Sequence, residues 1–258
     1  MKTLLVMTAL AGVVSAQDSG LKARELFYAP AQDSQPQTAP KKVAPARKPT
    51  TMQVANVANV PLGLRYSVLK RDATEKFVET DADTTFRSGD RIRLSVDSNS
   101  SGYLYVVSQG SSGNWRLLFP SAEAQGGSNH IEKGLSQQIP AGNKGQFVFD
   151  DEAGTEKLFL VLTRQPEPDL DKLIYSIDSR GAHTSAGTGL MASAKVGNDV
   201  VNRLRDEVKS RDLVFEKVDE MKEQADGQVK AEKATYVVNP SRTDDARLVV
   251  DVALKHGK

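Results

Sequence analysis

Residues 101–121 read SGYLYVVSQGSSGNWRLLFPS. Two runs rich in aromatic and branched residues, GYLYVVSQ and NWRLLFP, flank the small polar turn GSSG. This is the pattern of two antiparallel strands joined by a tight reversal. Pro120 closes the second strand, because proline cannot donate to the ladder. The chain's one tryptophan, Trp115, follows the turn, where it is either a packing residue of an edge strand or a half-exposed platform for a partner.

The same texture extends outward from this hairpin. DRIRLSVDSNS alternates, with Ile92, Leu94 and Val96 on one face and Arg91, Arg93 and Ser95 on the other, the period of a half-buried strand. GLRYSVLKR and GQFVFD repeat the theme. EKLFLVLTR is apolar on both faces, from Leu158 to Leu162, and so predicts a central strand covered on both sides. At the C-terminus, Leu248, Val250, Val252 and Leu254 alternate with Val249, Asp251, Ala253 and Lys255, so this strand needs a sheet to join. Short strands at such intervals predict a mainly β chain, an antiparallel β-sandwich or barrel-like domain, with one or two peripheral helices in the C-terminal third. Those helices fall in 167–234. PDLDKLIYSI reads as a short helix, and Val196, Val200, Leu204 and Val208 form a narrow apolar stripe. Residues 219–234 are too polar for core, and 235–258 read as a C-terminal β-hairpin about the turn at Asn239 to Asp245.

Upstream, the chain opens MKTLLVMTALAGVVSAQDSG. Lys2, the apolar run Leu4 to Val14, and the small residues Val14 and Ala16 predict a signal peptide over 1–16. Residues 17–29 predict a short helix with Leu21, Leu26 and Phe27 on one face. Residues 30–61 carry five prolines between Pro30 and Pro49 and the cations Lys41, Lys42, Arg47 and Lys48. That composition predicts a basic, extended linker. The folded domain is then 62–258. The chain has no cysteine, so a disulfide-stapled domain, a thiolate metal site and a lipid anchor on cysteine are all excluded. Lys plus Arg is 34 against 33 for Asp plus Glu, and this balance gives no sign of a nucleic-acid partner. No later apolar run reaches the roughly 20 residues of a membrane-spanning helix. The expected location is therefore periplasmic or extracellular.

Chemistry-bearing motifs are weak. Asp97, Asn99, Ser101 and Gly102 open like a calcium loop, but Ser108 stands where the bidentate glutamate belongs. Gly187 to Ala192, GTGLMA, fits a dinucleotide fingerprint without the strand and helix that give it meaning, so no cofactor is expected. HTSAG, from His183, lacks the first glycine of a nucleophile elbow around Ser185. His130, His183 and His256 have no second ligand at metal spacing. Asp150, Asp151 and Glu152 form an acidic tip. No catalytic set is predicted, and function is expected on loops of the β-scaffold, at Ser111 to Trp115 and Ala122 to Lys133.

The run from TFRSGDRIRLSVDSNSSGYLYVVSQ through LFPS, NHIEKG, QQIPAG and FVFDDEAGTEKLFLVLTRQPEP resembles the bacterial family called domain of unknown function 4384. The likeness rests on Gly102 to Tyr105, Leu118 to Pro120, Asn129 to Gly134, Ile139-Pro140 and Gly154 to Glu156. It extends over roughly 62–166. The resemblance implies an accessory β-module, and it brings no catalytic or ligand residues with it.

These readings converge on an exported, non-enzymatic binding or adaptor module of the bacterial cell envelope. The expected partner is an envelope protein, contacted through Trp115, Asn129 and His130. A cell-wall polymer is the alternative partner, since a single tryptophan offers little stacking surface for glycan. A further alternative is a hydrolase assembled from His130, Asp150 and Glu156.

Overall fold

Leu158 to Leu162 are almost wholly buried on both faces of their strand, and the architecture follows from what covers each face. The computed structural model describes residues 22–30, 60–109, 115–121, 127–142, 145–171, 195–209, 213–223 and 229–257. The apolar strand is β10 (Gly154–Thr163). It lies between β5 (Gly102–Gln109) and β14 (Arg247–Gly257), antiparallel to both. This second sheet continues through β6 (Trp115–Phe119) to β11 (Lys195–Val196), with β7 (His130–Ile131) on β5. On its other side β3 (Phe86–Arg87) joins β14 in parallel.

The first sheet runs β12 (Val214–Glu223), β13 (Val229–Asn239), β1 (Leu62–Arg71), β4 (Arg91–Ser98), β8 (Gln137–Ile139). Two short strands flank it: β2 (Phe77–Thr80) pairs with β1, and β9 (Phe147–Val148) with β4. The predicted alternation in β4 is correct: Ile92, Leu94 and Val96 enter the core between the sheets. Leu104, Val106, Leu158, Leu160, Leu162, Leu248, Val250, Val252 and Leu254 meet them from the second sheet. Each such side chain contributes about 1.5–3 kcal/mol by burial. The chain is thus a mainly β sandwich of two sheets.

Each sheet also carries a helix on its outer face. Helix α2 (Asn198–Lys209) packs Val201 and Leu204 against Tyr105, Val107, Trp115, Phe159 and Val161. This is why β10 is apolar on both sides. The stripe predicted at Val196, Val200, Leu204 and Val208 is shifted, because Val196 belongs to strand β11, opposite Trp115. Helix α1 (Ala23–Tyr28) lies on the outer face of the first sheet. Its Ala23 and Phe27 pack with Val218, Ala234, Tyr236 and Val238, so part of the predicted N-terminal helix belongs to the folded body. Gly63 lets this helix approach: a Cβ there would fall 2.9 Å from the Phe27 ring.

Two expectations in the C-terminal third need correction. Residues 235–258 do not form a hairpin. Strand β13 is occupied on both sides by β12 and β1, so β14 crosses to the other sheet and pairs with β10. The polar stretch within 219–234 is also strand rather than insertion. In the β12–β13 pair, Val218, Ala234 and Tyr236 face α1, and Glu216, Glu220 and Glu232 accept from Arg24 of that helix. One buried face is enough for an edge hairpin, so high average polarity is compatible with strand. Of PDLDKLIYSI, residues 168–171 are helical and the rest lies outside the described residues, as do GTGLMA, His183, Ser185 and 111–114 and 122–126 of the two expected loops.

Candidate functional site

On the outer face of the first sheet, the odd residues of β1 and β4 point away from the core. They are Arg65, Ser67 and Leu69, and Arg93, Ser95 and Asp97. With α1 as a wall on one side and residues 134–138 as a rim on the other, four of these, Arg65, Leu69, Ser95 and Asp97, floor a groove of about 570 Å3. Arg65 sits at its centre. Its guanidinium reaches Glu79 at 2.7 Å, Asp97 at 3.1 Å and Glu232 at 3.4 Å. Glu232 also accepts the Tyr236 hydroxyl at 2.6 Å, and its second oxygen meets Arg24 of α1 at 3.3 Å. Burial alone would push the Arg65 guanidinium down, but hydrogen bonding to Glu79 and the fields of Glu79 and Asp97 outweigh it and raise its pKa. Burial also raises the Tyr236 phenol, with Glu232 and Tyr28 reinforcing it. Three carboxylates against Arg65, with Arg24 reaching Glu232 from α1, leave the lining acidic by one charge. Tyr28, 62% exposed, supplies an aromatic edge.

A second concavity, a cleft of about 250 Å3, opens between the sheets beside β9. Phe147, Phe149, Leu158 and Leu254 give it apolar walls, and Asp150, Glu156 and His256 line it as well. The Phe149 ring stacks between Phe86 and His256, with centroids 5.0 Å away on each side. Burial pushes the Glu156 carboxyl up; His256 pulls it down and Asp150 adds to the rise.

The residues expected to meet a partner do not form one site. Trp115 is only 3% exposed. Its ring meets Phe159 edge-on at 5.9 Å, and the Arg205 guanidinium covers it at 5.4 Å. A half-exposed platform is therefore ruled out: β11 pairs outside β6 and α2 closes over the indole. Asn129 is half-buried, with its side-chain amide 3.3 Å from Asp171, which also accepts the Tyr105 hydroxyl at 2.6 Å. That network fastens the 129 loop to the last described residue of the 168–171 helical turn. His130 is exposed and lies edge-on to Tyr103 at 5.3 Å.

Nor does His130 join Asp150 and Glu156. It pairs with Tyr103 at one end of β5, whereas Glu156 lies beside the Gln109 end. Six residues of strand separate the two ends, roughly 20 Å. The histidine that does meet those carboxylates is His256. It continues the inward series Leu248, Val250, Val252, Leu254 by one more step of two, a signal present in the sequence. The residues that opened like a calcium loop hold strands together instead. Asn99 accepts from the Gly63 amide at 2.8 Å and donates to the Pro61 carbonyl at 3.0 Å, while Asp97 binds Arg65 and Ser136.

No curated protein and no solved structure matches the chain. One family model does match, over residues 85–166, and its pattern residues fall at strand ends and close packing points. Strands β1 and β14 lie outside the matched range although both are hydrogen-bonded into it. From β3 to β10, then, the chain is similar to the family described as Domain of unknown function (DUF4384).

Proposed function

We propose that this chain is a non-enzymatic binding module of the bacterial cell envelope and that it docks a basic, extended segment of a partner protein in the groove of the first sheet. The observation that carries this reading is the charge of the groove. Glu79, Asp97 and Glu232 face Arg65 in its lining, with Arg24 behind Glu232 on the α1 side, so one net negative charge remains and an arriving cation gains more than it repels. The strand-floored shape and the Tyr28 edge suit an extended chain rather than a compact ligand. Export rests on the N-terminal pattern of Lys2, Leu4 to Val14 and Ala16. N-terminal sequencing of protein recovered from the envelope should begin at Gln17.

The test of docking is site-specific photo-crosslinking in the native envelope. A crosslinker at Gln138, exposed on the groove rim, should capture one protein, and Ser136→Lys should abolish that capture. A crosslinker at Asn202, on the outer helix α2, is the control. Equal capture of the same protein from Asn202, or capture unaffected by Ser136→Lys, would remove the groove from the reading.

A further inference from the structure

The cleft between the sheets is separate from the groove, so what it binds stands or falls independently of the docking proposal. Three of its polar groups have capacity for a ligand. Glu156 has no ion pair among the described residues, and the titratable neighbours that act on it are His256 and Asp150. His256 is 6% exposed, and its Nδ1 is buried without a hydrogen-bond partner. Leaving such an atom orphaned costs free energy that a native fold seldom leaves uncompensated. Asp150 uses one oxygen to accept the Glu152 amide at 3.0 Å, so it retains acceptor capacity.

These polar groups sit on an apolar frame. The Phe86–Phe149–His256 stack holds the imidazole against one wall, and Phe147, Leu158 and Leu254 complete the lining. Gly154 stands opposite His256 in the β10–β14 pair, and a Cβ there would lie 3.5 Å from Nε2. The position is thus open beside the ring. Carboxylates accept and do not donate. Aromatic faces attract cations, and the walls suit methylene groups.

We infer that this cleft binds a primary alkylammonium group, with the carboxylates of Glu156 and Asp150 accepting from the nitrogen and Phe147, Phe149 and Leu254 enclosing its short apolar chain. Both a free amine and the lysine side chain of a partner present this chemistry. A divalent metal is a poorer fit, since no group of three or more potential ligands is arranged for one among the described residues. Butyrate is disfavoured because two carboxylates already line the site.

The chain has three histidines, so the imidazole resonances of the purified protein are few, and His256→Phe assigns the one needed. Titration with n-butylammonium should shift the His256 imidazole and the Gly154 amide along a saturable curve in the millimolar range expected for so small a ligand. Glu156→Gln, which keeps the shape, should weaken binding about tenfold or more, the value of a charge-assisted hydrogen bond. Asp150→Asn should weaken it by less. Nα-acetyl-lysine methylamide shifting the same resonances would identify a lysine side chain as the natural ligand, and a response to n-butylammonium alone would identify a free amine. If n-butanol binds as tightly as n-butylammonium, the cleft is merely apolar and the assignment is wrong. The absence of any saturable shift, with the spectrum otherwise that of the folded protein, would overturn it equally.

Discussion

Gly102 lies so close to the backbone of Thr163 that a Cβ built on it falls 2.5 Å from the Thr163 carbonyl oxygen. The contact is backbone to backbone, between the first residue of β5 and the last of β10, so no rotamer change relieves it. It gives a physical reason for the glycine that opens the GYLY run. Gly102→Ala should destabilise the fold by about 1–3 kcal/mol, the usual cost of overpacking. Urea denaturation checks this, and an unchanged midpoint would show that the two strands part easily.

Arg65 holds three carboxylates that would otherwise face one another. Arg65→Ala should cost about 3–5 kcal/mol, because it leaves the mostly buried Glu79 and Asp97 without their guanidinium, while Glu232 keeps Arg24. Arg65→Lys should recover only part of that loss, since an ammonium cannot reproduce the planar fork. Thermal unfolding of both variants is the measurement. Hydrogen exchange should show that the loss centres on β1, β2 and β13.

Trp115, the only tryptophan, is a direct reporter of the second sheet's outer layer. Its emission should be blue-shifted and resistant to acrylamide in the native protein. Trp115→Ala should cost about 3–5 kcal/mol and should release α2, seen as lost amide protection over 198–209. Emission like that of free tryptophan would contradict the burial described above.

The alternation in β4, the two-sided apolar run of β10 and the regularity of β14 were all legible in the sequence because strand periodicity is a local signal. Which strand pairs with which is not local. Nothing in residues 235–258 says that β13 has both its neighbours already, so the apparent hairpin at Asn239 to Asp245 is in fact a crossing between sheets. Trp115 misled for a related reason. The segments that bury it, Arg205 in α2 and the backbone of Val196, are remote in sequence. His256 was within reach through its place in the inward series of β14, but nearness to the chain end obscured it. The groove around Arg65 joins residues from α1 to β13, and no spacing rule connects them.

Glu156 makes a prediction about pH. Its folded-state pKa is raised, by burial first, against the opposing pull of His256. The protonated form is therefore favoured by folding. The stability tied to that proton is fully present below the unfolded glutamate value of about 4.3 and is lost as pH rises through the folded value. Glu156→Gln should accordingly unfold at a higher temperature than the parent at neutral pH, with the difference disappearing at acid pH. A variant less stable at neutral pH would mean that the carboxylate is paired in solution.

The claim that the groove around Arg65 is the working surface is tested most directly by affinity. Binding of the partner segment captured at Gln138 should be measured by calorimetry against the parent and Ser136→Lys, at low and at high salt. Binding should weaken with salt and fall about tenfold or more with the added lysine, through repulsion of a basic ligand at close range. Salt-independent binding that Ser136→Lys leaves untouched would contradict it.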